Sequence, residues 1–170
     1  MYNRIENLAT SILKELNIDQ APIPIKEIAR KKNIEIKPYD LGDGVSGVLL
    51  LDNGKSVIGY NPVESVVRQR FTIAHELGHF VLHQKYSELF IDKEKPLFRN
   101  QESSTGEHKR EKEANAFAAA ILMPQFLIFQ EATKIGIKFI DEAAIKKLAK
   151  AFNVSQQAMT IRLTKLNLFW

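Results

Sequence analysis

The stretch FTIAHELGHFVLH, residues 71–83, places two histidines four positions apart with a glutamate directly after the first. On a helix that spacing stacks the imidazoles of His75 and His79 one turn apart on one face, where both can reach a single metal ion, and leaves Glu76 on the flank beside them. This is the H-E-x-x-H arrangement: the histidines bind the ion, and the glutamate stays off it to take a proton from bound water. A helix that merely buries its histidines would carry the same letters, so the reading depends on what else the chain supplies.

The flanks predict the helix. Asn61, Pro62 and Glu64 offer an N-cap, a proline at the first helical position and an early acidic residue, so a helix is expected from there to about His83. His83 lies eight residues beyond His75, about 12 Å along the axis, too far for one ion to take all three histidines. It is read as a packing residue. Gly78, costly inside a helix, is read as a close approach by the sheet or by a second helix. The chain has no cysteine, which excludes disulfides, thiol nucleophiles and cysteine-based zinc sites, so any metal must rest on histidine and carboxylate.

A catalytic zinc takes three protein ligands and keeps a fourth position open. A second long helix, expected from about Glu107 until Pro124 stops it, offers Glu111 and Glu113. Glu111 lies nearer the apolar stripe of Ala114, Phe117, Ala118 and Ile121, and Asn115 follows one turn later, where its amide can orient a histidine of the first helix from behind. Glu113 is read as a solvated helix charge.

Around these helices the remaining elements are coarser. Residues 3–16 form an amphipathic pattern, Pro22 and Pro24 break it, and IKEIARKKN reads as a short helix. IEIKPYD, VSGVLLLDN and KSVIGYN read as strands of a small antiparallel sheet, the last two joined at Asn53-Gly54. The glycines of GVSGVLL fit either a sheet edge that binds an extended substrate or a plain bulge. Residues 87–106 read as a loop, and a bridging segment follows Pro124.

With 170 residues, 45% hydrophobic and 26% charged, one sizeable core is expected. No apolar run approaches the ~18 residues of a membrane span, and no signal-peptide core opens the chain, so a cytoplasmic protein without a membrane partner is expected. The net charge of +4 gathers at the C-terminal end, where seven Lys or Arg from Lys134 onward face only Asp141 and Glu142. The excess suits nucleic acid or an acidic partner, and a solvated helix face explains it equally.

HELGHFVLH followed by EKEANAFAAAILMP resembles the ImmA/IrrE family of zinc metallo-endopeptidases, from the strands before His75 to the C-terminal helices. The resemblance implies a zincin-like (gluzincin-like) α+β domain over 1–133 and a helix-turn-helix-like segment over 134–170 packed on it. It implies Zn²⁺ on His75, His79 and Glu111, catalysis by Glu76, and as substrate a specific protein, an HTH-type transcriptional repressor whose cleavage relieves repression of mobile-element or stress genes. Ile121 stands where leucine is common, and Asn115 where aspartate also occurs. Manganese or iron would suit the same ligands.

At the C-terminal end, Ala149, Asn153-Val154-Ser155, Ala158 and Arg162-Leu163 follow a helix-turn-helix pattern. Its second helix would present Gln156, Gln157, Thr160 and Lys165 to nucleic acid. Packing or partner docking is the favoured role, with nucleic acid the less favoured partner. The alternative function is a DNA-binding regulator with a zinc-sensing or structural metal site, and a third is a metal-free interaction module.

Overall fold

The structure, a computed structural model, describes residues 2–93 and 105–168. The helices are α1 (Tyr2–Glu15), α2 (Ile25–Lys31), α3 (Val66–His83), α4 (Thr105–Leu122), α5 (Gln125–Lys134), α6 (Glu142–Phe152) and α7 (Gln156–Lys165). The strands are β1 (Ile34–Pro38), β2 (Val45–Asp52), β3 (Lys55–Tyr60) and β4 (Leu89–Lys93). The contacts divide the chain into Pro24–Ala118 and a second unit that joins Met1–Ile23 to Ala119–Trp170.

In Pro24–Ala118 the sheet has the order β1-β3-β2-β4. Asn53 and Gly54 both take positive φ, +45° and +79°, and the two-residue turn they make pairs Asp52 with Lys55 across the β2–β3 hairpin. The sheet is not purely antiparallel as expected, because β1 pairs parallel to β3. The hairpin's periodicity specifies how β2 meets β3, but which outer edge β1 joins depends on burial of Ile34. One face of the sheet buries Leu49, Ile58 and Phe90, and α3 packs on the sheet, with Thr72 and Glu76 at Gly47 of β2 and His79 on Phe90 of β4.

Two boundaries differ from the sequence reading. The N-cap of α3 is Ser65, whose Oγ accepts from Arg68 N; Asn61 instead closes a turn by accepting from Val63 N at 3.2 Å. Residues 87–106 are not all loop: Leu89–Lys93 form β4 and α4 begins at Thr105, while 94–104 lie outside the described residues. β4 alternates Leu89 out, Phe90 in and Ile91 out, too short a run to stand clear of its polar surroundings.

In the other unit α1 buries Ile5, Ala9, Ile12 and Leu13; α6 buries Leu148 and Phe152; α7 buries Met159 and Leu163. The bridging segment holds α5: Pro124, which ends α4, accepts from Leu127 N and Ile128 N and so opens the next helix. Asn17, Asn33, Asn153 and Asn167 all take positive φ just beyond helices, so asparagine serves as a repeated C-terminal stop. Ser155 caps α7 by accepting from Ala158 N at 3.1 Å.

Arg162, on the buried side of α7, donates to Met123 O at 2.8 Å and to both carboxylate oxygens of Glu6 on α1. The stretch Gly106–Lys134 is apolar and long enough to cross a membrane, but 67% of its apolar window is buried inside the protein, as in a core helix.

Candidate metal centre

Helix α3 carries His75 and His79 on the face turned to α4, and Gly78 makes the approach possible. A Cβ on Gly78 would lie 3.2 Å from Ala114 Cα and 3.2 Å from Ala114 O. The close approach expected at this glycine is thus made by the second helix. On the sheet side Gly47 of β2 has the same part. A Cβ there would come 2.2 Å from Thr72 Cγ2 and 3.3 Å from Glu76 Oε1. Gly47 sits at a register shift between β2 and β4, and β2 has neighbours on both sides, so of the two readings of these glycines the bulge fits and a substrate edge on β2 does not.

Between α3 and α4 the predicted ligands converge. Glu111 places Oε2 3.2 Å from His75 Nε2 and Oε1 3.1 Å from His79 Nε2, and the two Nε2 atoms are 3.0 Å apart. One ligand atom from each of the three residues lies within 4.8 Å of the others. Tetrahedral zinc with bonds of about 2.0–2.1 Å separates its ligands by roughly 3.3 Å, so these donors are spaced for such an ion. Behind the first ring, His75 Nδ1–H donates to Asn115 Oδ1 at 3.1 Å, so that Nε2 is the nitrogen whose lone pair would serve a metal ion.

Both histidines are buried, at 2% exposure each. Burial is the largest influence on the His75 pKa and lowers it, but the Glu111 hydrogen bond and the charges of Glu76, Asp92 and Glu111 together outweigh it and the net shift is upward; for His79 burial prevails and the shift is downward. Burial would raise Glu111, yet the hydrogen bonds from His75 and His79 hold its carboxyl well below the usual carboxylate range. Glu111 is therefore an anion facing two imidazoles, the charge state a divalent cation requires.

Glu76 is fully buried, and neither of its carboxylate oxygens has a hydrogen-bond partner. Burial raises its pKa to about 8; the charge of His75 opposes this, while Asp92 and Glu111 add to it. A buried carboxyl with both oxygens unpartnered, beside two imidazoles and a carboxylate, is what a hydrated metal ion would satisfy, so the residues present fit the group.

Two residues discounted in the sequence belong to this neighbourhood. His83 is buried, with Nδ1 3.2 Å from His79 Nδ1 and Nε2 3.0 Å from Glu113 Oε2. Glu113 is therefore not a solvated charge, and its i,i+2 offset from Glu111 hid a contact that only the crossing of α3 and α4 creates. Nearby, Tyr60 accepts from Lys26 Nζ at 3.0 Å, and Arg110 lies over the ring of Tyr86.

A mixed α+β fold with a four-stranded sheet and a His-His-Glu cluster between two helices defines the zincin-like class. The chain belongs to the IrrE N-terminal-like domain family, Peptidase_M78, whose model matches residues 29–164, and this is a metallopeptidase family. It is 32% identical over 104 residues to "Uncharacterized immunity region protein 2" of Bacillus phage phi105, covering 61% of each chain. It is 23% identical over 145 residues to "Metallopeptidase ImmA" of Bacillus subtilis (strain 168), covering 85% of this chain and 78% of the relative. Among solved structures, a Mycobacterium tuberculosis transcriptional regulator aligns with TM-score 0.67 at 18% identity, over 95% of this chain and 46% of that one. The chain thus spans less than two thirds of the phage relative and under half of the regulator.

Proposed function

We propose that this protein is a cytoplasmic zinc-dependent endopeptidase that cuts a specific intracellular protein, an HTH-type transcriptional repressor, and thereby relieves repression. The observation that carries the reading is Glu76, a buried carboxyl with both oxygens unpartnered, set beside the His75–His79–Glu111 cluster. A purely structural metal site has no use for such a group. Membership of a metallopeptidase family supports peptide hydrolysis, and relatives named for a phage immunity region and for ImmA support a regulatory target.

His75, His79 and Glu111 would hold the zinc, with Asn115 orienting His75. Zinc bound there supplies an acidified water and polarises the scissile carbonyl. Glu76 accepts the water's proton and returns it to the leaving amine, a task suited to a carboxyl whose environment moves its pKa toward neutrality. Among the described residues β1 and β4 are the edge strands, and β4, whose Phe90 stacks on His79, is the edge beside the cluster that would take an extended substrate by strand addition.

The experiment is digestion of purified HTH-type repressors by the zinc-loaded wild type and by Glu76→Gln, read by mass spectrometry. A single cut made by the wild type and missing with Glu76→Gln and with chelator supports the proposal. The α6–α7 geometry, with Gln156, Gln157 and Thr160 exposed, favours the second reading, a DNA-binding regulator. Tight operator binding with steep salt dependence, unchanged in Glu76→Gln and without any cut, would establish that reading instead.

A further inference from the structure

We propose that His83 and Glu113 are positioning residues that hold the His79 imidazole in the one tautomer and orientation a metal can use. The inference rests on the proposed role of His79 as a ligand.

The argument is a count of protons along a line of atoms. His79 turns Nε2 toward His75 and Glu111, so a metal there needs the lone pair of that nitrogen and the proton must sit on Nδ1. His79 Nδ1 faces His83 Nδ1 at 3.2 Å. The only neutral solution has His79 Nδ1–H donating to the lone pair of His83 Nδ1, which puts the His83 proton on Nε2. That nitrogen lies 3.0 Å from Glu113 Oε2, an acceptor, and the line closes without an unsatisfied atom.

His79 is also stacked against Phe90 at 4.6 Å between ring centroids, so packing restrains its plane while His83 selects its tautomer. The two ligand histidines are thus supported by different means. His75 donates to one amide, Asn115 Oδ1, whereas His79 donates through a second histidine to a carboxylate. An outer carboxylate coupled through an imidazole raises the basicity of the ligand more than a neutral amide does.

The test is zinc affinity by competition with a chromophoric chelator, together with the visible spectrum of the cobalt-loaded protein and thermal melting of the metal-free protein. His83→Phe keeps the ring but removes the acceptor; Glu113→Leu removes the acid and leaves both histidines. Each is expected to weaken zinc binding about tenfold or more and to alter the cobalt spectrum. His83→Gln, whose side-chain oxygen can accept from His79, is expected to recover most of the affinity. If Phe and Leu variants that melt as metal-free wild type bind zinc within about twofold of it, this assignment fails and the metal site stands. If the wild type takes up no zinc, the assignment and the metal reading fall together.

Discussion

Arg162 and Glu76 are both closed off from solvent, yet Arg162 is met by Glu6 and the carbonyl of Met123, whereas Glu76 has no hydrogen-bond partner. The first lies in the unit that joins Met1–Ile23 to Ala119–Trp170, the second in Pro24–Ala118. A buried charge that is fully paired holds its surroundings in one arrangement, while a buried group left unpaired costs stability and persists where chemistry uses it. Among the described residues the buried side-chain oxygens without partners belong to Glu64, Thr72 and Glu76, all on or just before α3. The contrast separates the part of the chain that is organised for stability from the part that is held ready for a ligand.

The strongest way to break this contrast is at Glu76 itself. Glu76→Gln is expected to lower peptide cleavage by about 10²–10⁴-fold with zinc content unchanged, measured by product formation and elemental analysis. Arg162→Met should do the opposite: it strands Glu6 and is expected to cost about 3–5 kcal/mol in urea unfolding, with metal stoichiometry retained. Equal loss of cleavage and of stability in both variants would erase the distinction.

The same glutamate can be tested without its metal. Its folded pKa of about 8 lies above the ordinary 4.5, so the folded protein keeps a proton that the unfolded chain releases within that window. Stability of the metal-free protein therefore falls as pH rises through the window, on the order of 1 kcal/mol per pH unit from this group. Metal-free Glu76→Gln should lack that slope, and parallel stability-pH curves for the two proteins would refute the burial argument.

Smaller effects sharpen the comparison. Gly47→Ala sets a Cβ against Thr72 Cγ2, and overpacking of this kind is expected to destabilise by about 1–3 kcal/mol and to disturb Glu76. Its signature is a fall in cleavage beyond what the loss of folded protein explains. Ser155→Ala removes one cap of α7, and a loss of about 1 kcal/mol without change in zinc affinity is expected from paired melts and zinc titrations.

Much of the centre was legible because helices convert sequence spacing directly into position. His75, Glu76 and His79 share a local frame, as do Glu111 and Asn115, so their faces could be read before any contact was known. The α3 start was misplaced because Asn61 and Pro62 suit a turn as well as a cap. Glu113 was misread because a helical wheel measures direction from one axis and says nothing of where a neighbouring helix crosses.

The sequence by itself determined the helix with its paired histidines, the hairpin at Asn53-Gly54 and the turn between α6 and α7, all set by interactions among residues a few positions apart. Only the tertiary structure decided that β1 runs parallel to β3, that Arg162 meets Glu6 across 156 positions, and that His83 and Glu113 stand behind His79. Those pairings depend on which buried surfaces meet, and burial is a property of the assembled core, not of any local stretch of chain.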